Sequence, residues 1–333
     1  MNLRIETLRG LACLLLVAYH VIGADPSHGL RVEDGWVRWL NDGLAYLRMP
    51  LFTFLSGLVY GLRPFNGNSR AFLSGKARRL LIPMLFVGTL FALLQTITPG
   101  TNTSAGPWYL LHIQPVAHFW FVESLFWVFL VIWALERWQS MRSLSDYGLA
   151  LALACTVYLT VRGWSWFGLE GAIYLMPYFL AGLGFSRFNS APWLAQRWLQ
   201  VALVLLTVSA VLTMGLPVPN PDRRTLLMLV TGFCLCILML GSRLQAHWLA
   251  DIGRYSYAIY LFHVFFTAAG RIGLERLGVE SLLVHVLTGV LLGLAGPMLV
   301  DRVFTPFKWP ALLLLGKSNK PKAPRAVATV AAS

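Results

Sequence analysis

The stretch that decides the fold is "LRGLACLLLVAYHVIG", residues 8–23. It approaches the length of about 20 apolar residues that a bilayer-spanning helix needs, yet it contains the cation Arg9 and the imidazole His20. Their spacing puts them about 16 Å apart along a helix axis and close to three turns, so both side chains share one face. Ionisable residues inside a span usually face a bundle interior or a wet cavity. The pattern favours a functional face over the alternative of a snorkelling arginine and a hydrogen-bonded core histidine.

The composition of the whole chain also points to a membrane protein. The 333 residues are 57% hydrophobic and 12% charged, whereas soluble domains carry roughly twice that charged fraction. The sequence therefore predicts an all-α integral membrane protein with about ten transmembrane helices. The predicted spans are 8–23, 43–62, 80–98, 118–135, 147–161, 172–185, 199–215, 225–240, 256–270 and 282–300.

The charge pattern predicts an orientation. The net charge is +13, but the cations are spread between apolar runs, so we expect no nucleic-acid partner. If the N-terminus is inside, most lysines and arginines fall in loops on that side, which is the bias of cytoplasmic loops. We therefore expect both termini in the cytoplasm, with residues 1–316 forming one membrane domain. Residues 317–333, rich in Lys, Pro and Ala, are expected to form a disordered basic tail.

Other predicted spans also contain polar and ionisable side chains. Arg48 lies in the outer part of the second span, where Asp42 or a backbone carbonyl could be its partner. Glu123 in the fourth span could neutralise Arg48, or it could set the tautomer and basicity of His20. The remaining candidates are Ser56, His118, Trp120, Tyr257, Tyr260 and His263. Close helix packing at Ser56 and an interfacial position of Trp120 and Tyr257 are the structural alternatives.

A dense basic segment, "KARRLLIP" at 76–83, ends the loop before the third span. Lys76, Arg78 and Arg79 could anchor the cytoplasmic edge, or they could bind an anion such as the phosphates of a ligand. The seven histidines form no HxH or HExxH pattern, and we expect no metal site.

Five stretches in order resemble the membrane-bound acyltransferase family 3. They are "RGLACLLLVAYH" (9–20), "MPLFTFLSG" (49–57), "KARRLLIP" (76–83), "HFWFV" (118–122) and "SYAIYLFH" (256–263). The resemblance implies transfer of an acyl group from a cytoplasmic donor, commonly acetyl-CoA, to a hydroxyl that is often on a glycan. It makes Arg9 and His20 the essential pair and Arg78 and Arg79 candidates for binding the donor phosphates.

Together these observations assign roles to eleven residues. We expect Arg9, His20 and Glu123 to be catalytic, and Lys76, Arg78 and Arg79 to bind acetyl-CoA or another acyl-CoA. Acceptor binding is expected of Arg48, Ser56, Trp120, Tyr257 and His263. The expected partners are acyl-CoA, a glycan or glycolipid acceptor and the lipid of a bacterial inner membrane. The alternative is a glycan exporter that needs no acyl donor, since charges inside a membrane also mark transport paths.

Overall fold

The computed structural model describes residues 2–102, 106–188, 192–214 and 224–318. Within these ranges the chain forms thirteen α-helices and no strand. The first seven are α1 (Leu3–Ile22), α2 (Trp36–Gly43), α3 (Ala45–Gly61), α4 (Ser69–Ile97), α5 (Trp120–Arg137), α6 (Leu144–Thr160) and α7 (Leu169–Phe188). The others are α8 (Pro192–Met214), α9 (Leu226–Gly241), α10 (His247–Arg254), α11 (Ser256–Arg276), α12 (Leu282–Phe304) and α13 (Lys308–Leu315).

Each of the ten predicted spans coincides with a helix, which confirms the all-α prediction. In the described part of the chain, five segments are long and apolar enough to cross a membrane: Leu3–Ile22, Ser69–Ile97, Ala117–Arg137, Ser256–Arg276 and Leu282–Phe304. The count of ten spans and the cytoplasmic termini stay predictions. The predicted tail lies outside the described residues from position 319 onward, as does Arg223, one of the few arginines that the orientation puts on the side opposite the cytoplasm.

The end of α1 fixes where His20 lies. Gly23 follows the helix with a φ of +111°, a backbone conformation that L side chains rarely adopt. Its N–H donates to the Tyr19 carbonyl at 2.8 Å, and a Cβ on Gly23 would lie 2.1 Å from the His28 carbonyl oxygen. The chain therefore turns sharply after Ile22, which leaves His20 in the last turn of α1.

Close helix packing surrounds α1. A Cβ built on Gly10 would lie 1.8 Å from the Leu249 carbonyl oxygen, and one on Gly253 would lie 2.0 Å from the Glu6 carbonyl oxygen. The short helix α10 is therefore in backbone contact with the first half of α1. On α12, Gly289 and Gly293 leave room in the same way for Val21 and Val17. Glycine allows these approaches because it has no side chain.

The helices α3 and α7 also pack backbone to backbone. A Cβ on Gly57 would lie 2.0 Å from the Phe179 carbonyl oxygen, and one on Gly182 would lie 1.9 Å from that of Phe54. The Ser56–Gly57 pair therefore marks close helix packing, as one interpretation of the sequence expects.

Candidate active site

Three imidazoles from separate elements meet beside the end of α1. His20 comes from α1, His118 from the 3-10 turn Ala117–Phe119 before α5, and His263 from α11. The His20 ring centroid lies 4.7 Å from that of His263 and 5.9 Å from that of His118. The His118 and His263 centroids are 4.9 Å apart. His118 and His263 are buried, and His20 is partly exposed. We call these three residues the histidine cluster.

Backbone carbonyls determine the tautomers of the two buried histidines. His263 Nδ1 lies 2.8 Å and 2.9 Å from the carbonyl oxygens of Ile259 and Tyr260, and His118 Nε2 lies 3.3 Å from that of Leu261. Because a carbonyl only accepts, these ring nitrogens carry the protons. The opposite nitrogens, His263 Nε2 and His118 Nδ1, are buried and have no partner in the described part of the chain. Two imidazole lone pairs therefore lie in the cluster beside His20 without a donor.

A cavity of about 530 Å³ extends from the cluster toward the end of the bundle at which α1 ends. His20 and His118 line it. Its walls come from α4, α11 and α12 and from the loops around 23–30 and 98–102. The lining is largely apolar, with Phe91, Leu94, Phe265 and Ile272 among its members. A ligand in this cavity would therefore contact the His20 imidazole from a largely apolar pocket, as is common in small-molecule sites.

Arg9 lies at the other end of α1 and pairs with an acid that sequence reasoning did not single out. Its Nη1 is 3.1 Å from Glu6 Oε1. Glu6 is buried, and its second oxygen, Oε2, has no hydrogen-bond partner among the described residues. The signal was present in the sequence, because an acid and a base three residues apart are neighbours on a helix surface.

Arg48 lies against the turn that holds His20. Its guanidinium carbon is 4.4 Å from the centre of the Tyr19 ring, and that ring is 5.0 Å from the His20 ring. Arg48 donates to the backbone carbonyl and the side-chain oxygen of Asn41. Asn41 and Arg38 in turn donate to the Gly23 carbonyl, and Asp42 pairs with Arg38. Of the two partners considered for Arg48, the structure therefore contains the backbone carbonyl.

Three predicted site residues make contacts away from the cluster. Glu123 faces the turn at Gly168, where an added Cβ would lie 3.2 Å from Glu123 Oε2. Within the described residues, no hydrogen bond or ion pair joins Glu123 to His20 or Arg48. Trp120 packs against Gly171, and the Ser56 hydroxyl donates to the Phe52 carbonyl of its own helix at 2.8 Å.

The basic segment lies near the Arg9 end of α1. The Tyr257 hydroxyl donates to the Arg79 carbonyl. Tyr257 lies at the start of α11, four residues after Gly253 of α10, which contacts α1 at Glu6. The Arg79 side chain is exposed. Arg78 has a buried Nε without a partner among the described residues. Lys76 differs, because its ammonium lies 3.3 Å from the centre of the Phe129 ring, a cation–π contact.

The comparison with known families agrees with the motifs. The sequence model of acyltransferase family 3, described as an acyltransferase domain, matches residues 2–302. The match includes Arg9, the histidine cluster and the basic segment. Searches of curated proteins and of solved structures gave no match.

Proposed function

The chain belongs to acyltransferase family 3, and from this we propose that it transfers an acyl group, acetyl above all, from acyl-CoA to a hydroxyl of a glycan or glycolipid. It is a membrane acyltransferase by its family and its apolar helices. The observation that carries the proposal is the histidine cluster. His20 lines the cavity and can act as a base there, and the rings of His118 and His263 beside it can hold its orientation. An exporter without transferase chemistry is not favoured, since the matched family is one of acyltransferases.

His20 is the general base in this proposal. In the reacting complex, the His20 ring N–H donates to His118 Nδ1 or His263 Nε2, which have no donor among the described residues and whose rings lie beside that of His20. Its other nitrogen then presents a lone pair to the cavity. That nitrogen takes the proton of the acceptor hydroxyl as the oxygen attacks the thioester carbonyl carbon. The carbon–sulfur bond then breaks. His20 passes its proton to the departing sulfur, so that coenzyme A leaves as a thiol.

The donor binds at the Arg9 end of α1. The phosphates of coenzyme A accept charge-assisted hydrogen bonds from Arg78 and Arg79. The unpartnered Arg78 Nε and the exposed Arg79 side chain support this assignment. Lys76 contributes less, because its ammonium faces an aromatic ring. The acyl arm runs past Arg9 to His20, about 16 Å along α1. We place this end in the cytoplasm of a bacterial cell, with the protein in the inner membrane.

The test is transfer of labelled acetyl from acetyl-CoA to the glycan fraction of cells that produce the protein. His20→Ala removes the base and is expected to lower the transfer rate by about 10²- to 10⁴-fold. His247→Ala is the matched control, because His247 is an exposed histidine at the start of α10, and it should leave the rate unchanged. Wild-type transfer by His20→Ala at equal membrane abundance would contradict the proposal.

A further inference from the structure

A fourth histidine, His285 on α12, has half of its hydrogen-bonding capacity unmet. The side chain is buried, with 8% of the residue exposed. Its Nε2 lies 2.7 Å from the Val279 carbonyl oxygen, so Nε2 carries the proton and Nδ1 holds the lone pair. Nδ1 is buried and has no donor in the described ranges. A buried acceptor without a donor is costly, and it fits a ligand that supplies one.

His285 lines the same cavity as His20. It also lines a smaller neighbouring cavity of about 170 Å³. Gly289, about one helical turn along α12, is in contact with Val21, the residue after His20. His285 therefore lies about 6 Å along α12 from the level of Val21. This separation is comparable with the width of one sugar ring.

Two side chains that line this cavity and can carry a positive charge, Arg271 and His28, each have a carboxylate partner. Arg271 lines the cavity. Its guanidinium donates to the Glu275 carboxylate at 2.8 Å and to the Gly100 carbonyl at 2.6 Å. His28 Nδ1 lies 2.7 Å from Asp25 Oδ1. Hydrogen bonds from Ser27 and His28 lower the pKa of Asp25 to about 2, so this carboxylate is ionised at neutral pH. Among the described residues, an anionic ligand would therefore find no arginine or lysine in the lining of the larger cavity that lacks a carboxylate partner.

We propose that His285 is an acceptor-specificity residue, whose Nδ1 accepts a hydrogen bond from one hydroxyl of an uncharged sugar held in the cavity. This inference rests on the proposed function and deepens it by naming the substrate class. Another hydroxyl of the same sugar ring then lies at His20. The apolar walls formed by Phe91, Leu94 and Phe265 take the apolar faces of the ring or of an attached lipid.

The experiment uses the full chain in lipid nanodiscs with acetyl-CoA and hexyl β-D-glucoside as the acceptor probe. Deoxy analogues of the glucoside remove one hydroxyl at a time, and hexyl β-D-glucuronide adds a negative charge. His285→Phe removes the Nδ1 lone pair and keeps an aromatic ring, whereas His285→Asn keeps an acceptor near the Nδ1 position. We expect His285→Phe to raise the KM for the glucoside about five- to tenfold, as expected for one neutral hydrogen bond, with kcat and the KM for acetyl-CoA unchanged. His285→Asn should restore much of the loss.

One deoxy analogue identifies the hydroxyl that His285 contacts. The KM for this analogue should be higher than that for the glucoside with the wild-type protein, and His285→Phe should not raise it further. The glucuronide, which tests the effect of a negative charge, should be a poorer acceptor than the glucoside. An unchanged KM for every glucoside with His285→Phe would overturn the inference. So would a wild type that acetylates none of these glucosides while it acetylates the glycan fraction of its own cells. Failure of the proposed function is distinguishable, because then His20→Ala would leave the labelling of that fraction intact.

Discussion

Arg9 pairs with Glu6 on its own helix. The sequence pattern predicted no role for this acid. The Glu6 side chain is 5% exposed and that of Arg9 is 24% exposed. Removing one partner of such a pair leaves the other charge uncompensated in a poorly hydrated position. Because Arg9 is also in the path proposed for the acyl arm, we expect Glu6 to position this guanidinium.

The variant Glu6→Gln tests this role. It keeps the size of the side chain and removes its charge, and we expect unfolding free energy to fall by about 1 to 3 kcal/mol. If the displaced Arg9 guanidinium also raises the activation free energy of acyl transfer by about 1.4 kcal/mol, the transfer rate falls about tenfold. The measurements are the thermal midpoint in detergent and the transfer rate. Glu33→Gln, in an exposed loop, is the control, and a Glu6→Gln protein that matches it in both would contradict the role.

The sequence predicts residue positions better than residue contacts. It placed His20 and His263 inside the membrane domain and noted His118 at a span end, because an imidazole in an apolar run stands out. It did not single out His285, which also lies in an apolar run, because no motif accompanies it. Glu123 was expected beside His20 or Arg48, but the direction of a side chain depends on how α5 is rotated against its neighbours. That rotation is decided by packing, such as Trp120 against Gly171.

At the scale of elements, the contact of α1 with α10 holds the Arg9 end of the molecule together. The Cβ of Gly10→Ala would meet the Leu249 carbonyl oxygen at 1.8 Å, and backbone atoms in two helices cannot move apart without separating the pair. We expect a loss of about 3 kcal/mol or more, measured as a lower thermal midpoint and lower membrane yield. Gly75→Ala is the control, because nothing lies within 4 Å of that position in α4, and it should be neutral or slightly stabilising. Equal stability of the two variants would contradict the close approach.

The short helices α2, α10 and α13 were not predicted, whereas every long apolar helix was. Each of the three has eight residues, too few for the apolar run that identifies a span. Their positions depend on contacts with other parts of the chain. Helix α2 is held by hydrogen bonds from Arg38 and Asn41 to the Gly23 carbonyl. Helix α13 is followed by Gly316, whose backbone approaches Arg78. Such contacts have no signature in local sequence.

At the scale of the whole molecule, the number of membrane crossings decides which side each site faces. Helix α6 has 17 residues and a length of about 26 Å, slightly less than the hydrocarbon core of about 30 Å. It is not among the five helices that are long and apolar enough to span, yet Leu149 and Leu153 are exposed on it, as lipid-facing residues are. The ten-span prediction requires α6 to cross.

Cysteine labelling of the two ends of α6 tests that crossing. Ser140 precedes α6, Ser165 follows it, and both are exposed. In a background without the native cysteines, a membrane-impermeant maleimide applied to intact cells should label Ser165→Cys and should reach Ser140→Cys only after lysis. Arg137 and Arg142 near the Ser140 end bias that loop to the cytoplasm. Labelling of both variants in intact cells, or of neither, would mean that α6 does not span. The cysteine-free parent gives the background, and labelling of both variants after lysis shows that each thiol is accessible.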